Sequence, residues 1–149
     1  MLTITQVESL EEKEKVHEFI KQYGKASQLN DNKCILMAAK EREQLIGIGG
    51  FTLLSKYAML KGIIVKPGYE KEQLDISIGK AMLNFIERRN IKKVYAQNDK
   101  NNIYFRRFLQ ALTFILLEKG HEDITLKENH EIYFLDLTYY FKKSCCKHR

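Results

Sequence analysis

The stretch "IIVKPGYEKEQLDISIGKAMLNF", Ile63–Phe85, has the residue types and spacing to do chemistry. A β-branched run stops at Pro67 and Gly68, a charged turn follows, and apolar residues then recur at helical spacing. A strand, a turn and a helix start in that order present backbone N–H groups at the helix N-terminus. Such groups hold phosphates and carboxylates. The turn itself, Glu70-Lys71-Glu72-Gln73, contains no glycine. Acidic residues also suit a first helical turn, so the same segment reads as a capped, solvated helix start. Both readings stay open at this point.

Other reactive side chains are scattered. Cys34 lies in an apolar run and reads as a small buried residue. Cys145 and Cys146 are adjacent and no C-x-x-C spacing occurs, so neither a disulfide nor a metal cluster is expected. His17 falls off the apolar face of its helix and reads as solvated. His121 and His130 bracket a charged loop with no third ligand, so no metal site is expected there. Glu118 and Asp123 are carboxylates without an assigned geometry.

The elements that must position these groups follow from periodicity. Residues 2–7 alternate as a strand. Ser9 with Glu12 three residues later makes a capping box, and Val16, Phe19, Ile20 and Tyr23 form one helical face that Gly24 closes. Three strands at about 33–40, 45–54 and 58–66 have short connections, which implies an antiparallel meander. Gly47, Gly49 and Gly50 within the second of them point to a bulge or a close backbone approach. A helix spans 72–89, with Gly79 suggesting close packing. A strand at 91–97, a polar loop at 98–102, a short aromatic helix at 103–112 and strands at 113–118 and 130–141 complete the chain. The last strand is aromatic-rich, and an exposed edge there would favour a homodimer by strand addition.

Composition sets the frame. The 149 residues predict one domain, 1–141, followed by a basic tail, 142–149, expected to be disordered. At 44% hydrophobic the chain can bury a core without metals or disulfides. Lys142, Lys143, Lys147 and Arg149 in the tail supply four of the six excess positive charges, so the basic balance does not predict a nucleic-acid partner. No apolar run reaches the roughly 18 residues of a membrane span, and no basic-then-apolar leader opens the chain. A cytoplasmic protein with no membrane partner is expected.

The order β-α-βββ-α-β-α-ββ, with Val65, Pro67 and Tyr69 leading into the turn and helix, resembles the GCN5-related N-acetyltransferase family. Asn102 fits the family's later asparagine and Phe114 its closing phenylalanine. The chain departs at Thr113, where the family has glycine, and at Leu109, where it has tyrosine. An ungapped match puts Glu70 at a basic position. A gapped one aligns Ser77 and Gly79 with the last glycines of the turn and needs four inserted residues.

The resemblance implies an α+β fold: a mixed, mostly antiparallel sheet splayed between strands four and five, with helices on both faces. It implies acetyl-CoA as co-substrate, held by Ile64, Val65, Glu70, Lys71, Glu72, Gln73, Leu74, Asp75 and Asn102. The activity implied is transfer of an acetyl group to a primary amine, on a small molecule or a protein. Tyr104 would be the candidate acid, and Tyr95 and Asn98 would position the acceptor. The alternative is a non-catalytic module of the same shape that binds a partner or another ligand in the cleft.

Overall fold

A computed structural model describes residues 1–24, 29, 32–69, 72–118 and 124–141. Its element order is β1 (Leu2–Gln6), α1 (Leu10–Tyr23), β2 (Ile35–Glu41), β3 (Gln44–Leu53), β4 (Ala58–Val65), α2 (Leu74–Arg88), β5 (Lys93–Asp99), α3 (Ile103–Ala111), β6 (Ile115–Leu117) and β7 (His130–Asp136). The strands form one seven-stranded sheet in the order β1-β2-β3-β4-β5-β7-β6. The sheet is mixed and mostly antiparallel. Its parallel pair is β4 with β5, in register at Ala58–Val94, Met59–Tyr95 and Leu60–Ala96. The chain divides into two compact units, Met1–Thr52 with Lys61–Met82, and Leu53–Leu60 with Leu83–Arg149.

In the first unit, Ser9 accepts the Glu12 N–H at 3.1 Å and Gly24 closes α1 by donating to Ile20, so the capping box forms as its spacing predicts. The buried face of α1, Val16, Phe19 and Ile20, meets Val7, Ala38 and Ile48 on one side of the sheet. Gly47 and Gly49 of β3 point the other way. A Cβ at Gly47 would lie 2.8 Å from Ile78, and one at Gly49 would lie 2.8 Å from both Ile78 and Met82. Side chains there would hold α2 off the sheet, so the glycines set how closely helix and strand approach. The expected bulge is present as well: the β2–β3 register shifts at Ala39/Lys40, which leaves Ile46 as the extra residue.

In the second unit, Val94, Tyr95 and Ala96 are buried at the centre of β5. One face of β5 and β7 carries Tyr95, Ile132 and Phe134 packed with Tyr57, Met59 and Ile124. Several boundaries differ from the sequence expectation: β5 starts at Lys93, and β6 shortens to Ile115–Leu117 because Thr113 takes a left-handed φ of 71°. β5 runs on through Asn98 and Asp99, because those residues stay in register with Glu131 and His130 of β7. β7 stops at Asp136, whose carboxylate accepts the Thr138 N–H at 2.8 Å and turns the chain, so Tyr140 and Phe141 lie outside the strand. Among the described residues no helix is long and apolar enough to cross a membrane.

Candidate cofactor and catalytic site

The first unit carries most of the residues implied in holding acetyl-CoA. Ile64 and Val65 close β4, and the Ile64 side chain packs into the α1 core. Beyond them the Lys66 N–H donates to the Ile46 carbonyl at the β3 bulge, at 2.8 Å. Gly68 adopts a left-handed φ of 100°, which frees the turn after Pro67 to reverse. Glu70 and Lys71 lie outside the described residues. The Glu72 N–H donates to the Tyr69 carbonyl at 3.3 Å.

Gln73 has a φ of 56°, and α2 therefore starts at Leu74 rather than at 72. Left-handed backbone at a glutamine is uncommon and marks a position that glycine would occupy without strain. At the helix start the Asp75 carboxylate accepts the Ile76 N–H at 2.8 Å, and the Gln73 carbonyl accepts the Ser77 N–H at 3.1 Å. An oxygen anion thus already sits on an amide of this helix start, and it belongs to the protein itself.

Asn102 and Tyr104 belong to the second unit. Asn102 is the N-cap of α3, its side chain accepting the Phe105 N–H at 3.0 Å. Tyr104 is 44% exposed on the first turn, so its phenol is not sealed in the core. Tyr95 is buried against Tyr57 and Phe134. Glu118 is exposed, His17 is exposed and Cys34 is half-buried. Asp123, His121 and the tail from 142 lie outside the described residues. Among the described residues no group of three or more His, Cys, Asp or Glu is placed to hold a metal ion.

Sequence reasoning missed a polar network on the α3 side of β5 and β7. Val94, Ala96 and Asn98 alternate onto one face of β5, and Asn98 pairs across with Glu131. Asn98 is 1% exposed. Its amide nitrogen donates to the Asn102 carbonyl at 3.2 Å and to Glu131 Oε1 at 3.1 Å. The same oxygen accepts from Arg106 Nε at 2.9 Å and from the Tyr133 hydroxyl at 3.1 Å.

Burial pushes the Glu131 carboxyl up, but the bonds from Arg106, Asn98 and Tyr133 outweigh it and hold the group below its ordinary value. Burial and the bond to Glu131 push the Tyr133 phenol up. Among the described residues Asn98 Oδ1 is buried with no partner. A buried acceptor left unmade costs about 1–3 kcal/mol. The available signal was the spacing: Glu131 and Tyr133 are two apart in a strand and so share a face.

No family model and no curated protein matches the chain. Solved structures do. An acetyltransferase of the GNAT family from Staphylococcus aureus Mu50 is 16% identical, with a TM-score of 0.74 over 93% of this chain and 100% of that one. The ribosomal-protein-S18-alanine N-acetyltransferase from Escherichia coli is 14% identical, with a TM-score of 0.72 over 92% of this chain and 94% of that one. A GNAT family acetyltransferase from Elizabethkingia anophelis with acetyl-CoA bound is 13% identical, with a TM-score of 0.64 over 91% and 98%. The element order, the parallel β4–β5 pair and these likenesses agree: the chain has the GCN5-related N-acetyltransferase fold.

Proposed function

We propose that this chain is an acyl-CoA-dependent N-acyltransferase that moves an acetyl group from acetyl-CoA to a primary amine. The observation that carries the reading is the β4–turn–α2 segment within this fold. Its strand ends at Val65, its turn is opened by left-handed backbone at Gly68 and Gln73, and its helix start already holds a carboxylate oxygen on the Ile76 N–H. Backbone amides need no particular side chain to bind a pyrophosphate, so the absence of glycine from residues 70–73 does not remove the donors. Asp75 competes for the same amide, and Glu72 adds negative charge nearby in sequence. Binding weaker than a glycine-rich turn would give is the expected consequence.

In this reading the backbone of Ile64 and Val65 and the 70–75 turn of the first unit hold the co-substrate, and Asn102 of the second unit is the further residue that the resemblance implies. The amine must lose its proton before it attacks the thioester, and the departing thiolate must gain one. Tyr104, half-exposed on α3, is the group proposed to give that proton. One similar structure is named for an alanine of ribosomal protein S18 and another for spermidine and spermine. Acceptors of both kinds, a protein amine and a small polyamine, are therefore the ones to try. The test is transfer of radiolabelled acetyl from acetyl-CoA to spermidine, to a peptide with an N-terminal alanine and to a lysine-rich peptide. Labelled product above a protein-free control supports the reading. Acetyl-CoA that neither binds nor reacts with any of the three overturns it.

A further inference from the structure

Asn98 holds an orientation that leaves one of its atoms unsatisfied. Both hydrogens of its amide nitrogen are spent, on the Asn102 carbonyl and on Glu131 Oε1. Turning the amide over would point Oδ1 at those same two acceptors, so the partners dictate the orientation. The result is a buried Oδ1 without a donor among the described residues. Chains keep a locally unfavourable group of this kind where the position it enforces matters more than the stability it forfeits.

The enforced position is the first turn of α3. Asn98 fastens the carbonyl of Asn102, the helix N-cap. One turn further on, Arg106 bonds Glu131 Oε1 through Nε at 2.9 Å and the Lys100 carbonyl through its terminal nitrogen at 2.9 Å. The Tyr133 hydroxyl steadies the carboxylate from β7. One oxygen therefore ties the helix start at two points.

We propose that Glu131 is a positioning residue: through Asn98 and Arg106 it fixes the first turn of α3, and with it Asn102 and Tyr104, in the arrangement that acetyl-CoA requires. The consequence for the ligand rests on the acyltransferase reading. The mechanical part does not.

Two variants separate positioning from simple stability. Glu131→Gln keeps an oxygen that accepts from all three donors, and Glu131→Leu removes it. Without ligand, amide hydrogen exchange at Phe105 and Arg106 is expected to quicken in Glu131→Leu at least about tenfold more than at Val94–Ala96, whose exchange follows the global loss of stability. In Glu131→Gln the same amides should stay within about threefold of the native protein. The acetyl-CoA dissociation constant, measured at a temperature where circular dichroism shows every variant folded, should rise by about tenfold for leucine and stay within about threefold for glutamine.

A uniform rise in exchange over β5, β7 and α3 overturns the proposal, as does a glutamine variant no better than leucine. If the native protein binds acetyl-CoA and the leucine variant binds it equally well, positioning fails and the acyltransferase reading stands. If the native protein does not bind but exchange quickens at α3 alone, that reading fails and the mechanical link stands. Should Glu131→Leu not fold, Asn98→Leu cuts the link to Asn102 while leaving the Arg106–Glu131 pair. Faster exchange confined to the α3 start then supports the proposal, and unchanged exchange overturns it.

Discussion

The starts of α2 and α3 meet the same need in different ways. Every helix begins with amides that lack a helical partner. At α2 the answer is local: the Asp75 carboxylate takes the neighbouring Ile76 N–H, and left-handed backbone at Gln73 leads in. At α3 the Asn102 cap is local, but its placement is not. Its carbonyl is held by Asn98 of β5, and Arg106 is held by Glu131, 25 positions further along the chain. A start built from sequence neighbours can rearrange around a ligand at small cost. One built from a buried network changes only by breaking several bonds together.

The largest effect should come from breaking the network. Glu131→Leu strands three donors and is expected to destabilise the protein by about 3 kcal/mol, read by urea denaturation. Asp75→Ala at α2 should cost about 1 kcal/mol, the usual loss when a side chain stops satisfying a helix-start amide. Equal losses at the two sites would erase the contrast between them.

Acid sharpens the same comparison. The Glu131 carboxyl titrates lower folded than unfolded, so its contribution is present above the ordinary carboxylate value of 4.5 and is lost as pH falls through the folded value. Denaturation midpoints of the native protein should therefore fall on acidification from about pH 5. Those of Glu131→Gln should fall less steeply over that window. Parallel curves would show that the carboxylate charge contributes nothing.

The α2 turn predicts a change of opposite sign. Gln73→Gly removes left-handed strain and should stabilise by about 0.5–1 kcal/mol, or leave stability level once chain entropy is counted. Acetyl-CoA affinity should rise or hold, since no side chain then stands over the backbone. The double change Glu70→Arg with Glu72→Gly removes negative charge and should tighten binding further. Lower melting temperature with unchanged affinity would reduce the turn to a helix start and nothing more.

What the residues disclosed and what they hid follow the same division. The Ser9–Glu12 capping box, the α1 face and the meander with its glycines depend on neighbours within a few positions, and each was legible. The strand–turn–helix was legible too, although Gln73 moved the helix start to Leu74, because nothing in a glutamine announces left-handed backbone. Asn98 read as loop because asparagine favours turns. It is strand because β7 pairs with it and a distant carboxylate takes its amide. The network joins residues 98, 106, 131 and 133, and only the two-residue spacing of the last pair hinted that they share a face. The residues implied in holding acetyl-CoA came from resemblance, with Glu70 and Lys71 outside the described residues.

The central claim is that this fold, with a glycine-free turn, still takes acetyl-CoA. Isothermal titration calorimetry of the native protein with acetyl-CoA, with adenosine 3′,5′-bisphosphate as a partial ligand for comparison, tests it most directly. The account predicts saturable one-to-one binding of acetyl-CoA, weakened by Glu131→Leu and not by Gln73→Gly. Absence of heat and of any thermal shift at millimolar acetyl-CoA would contradict it.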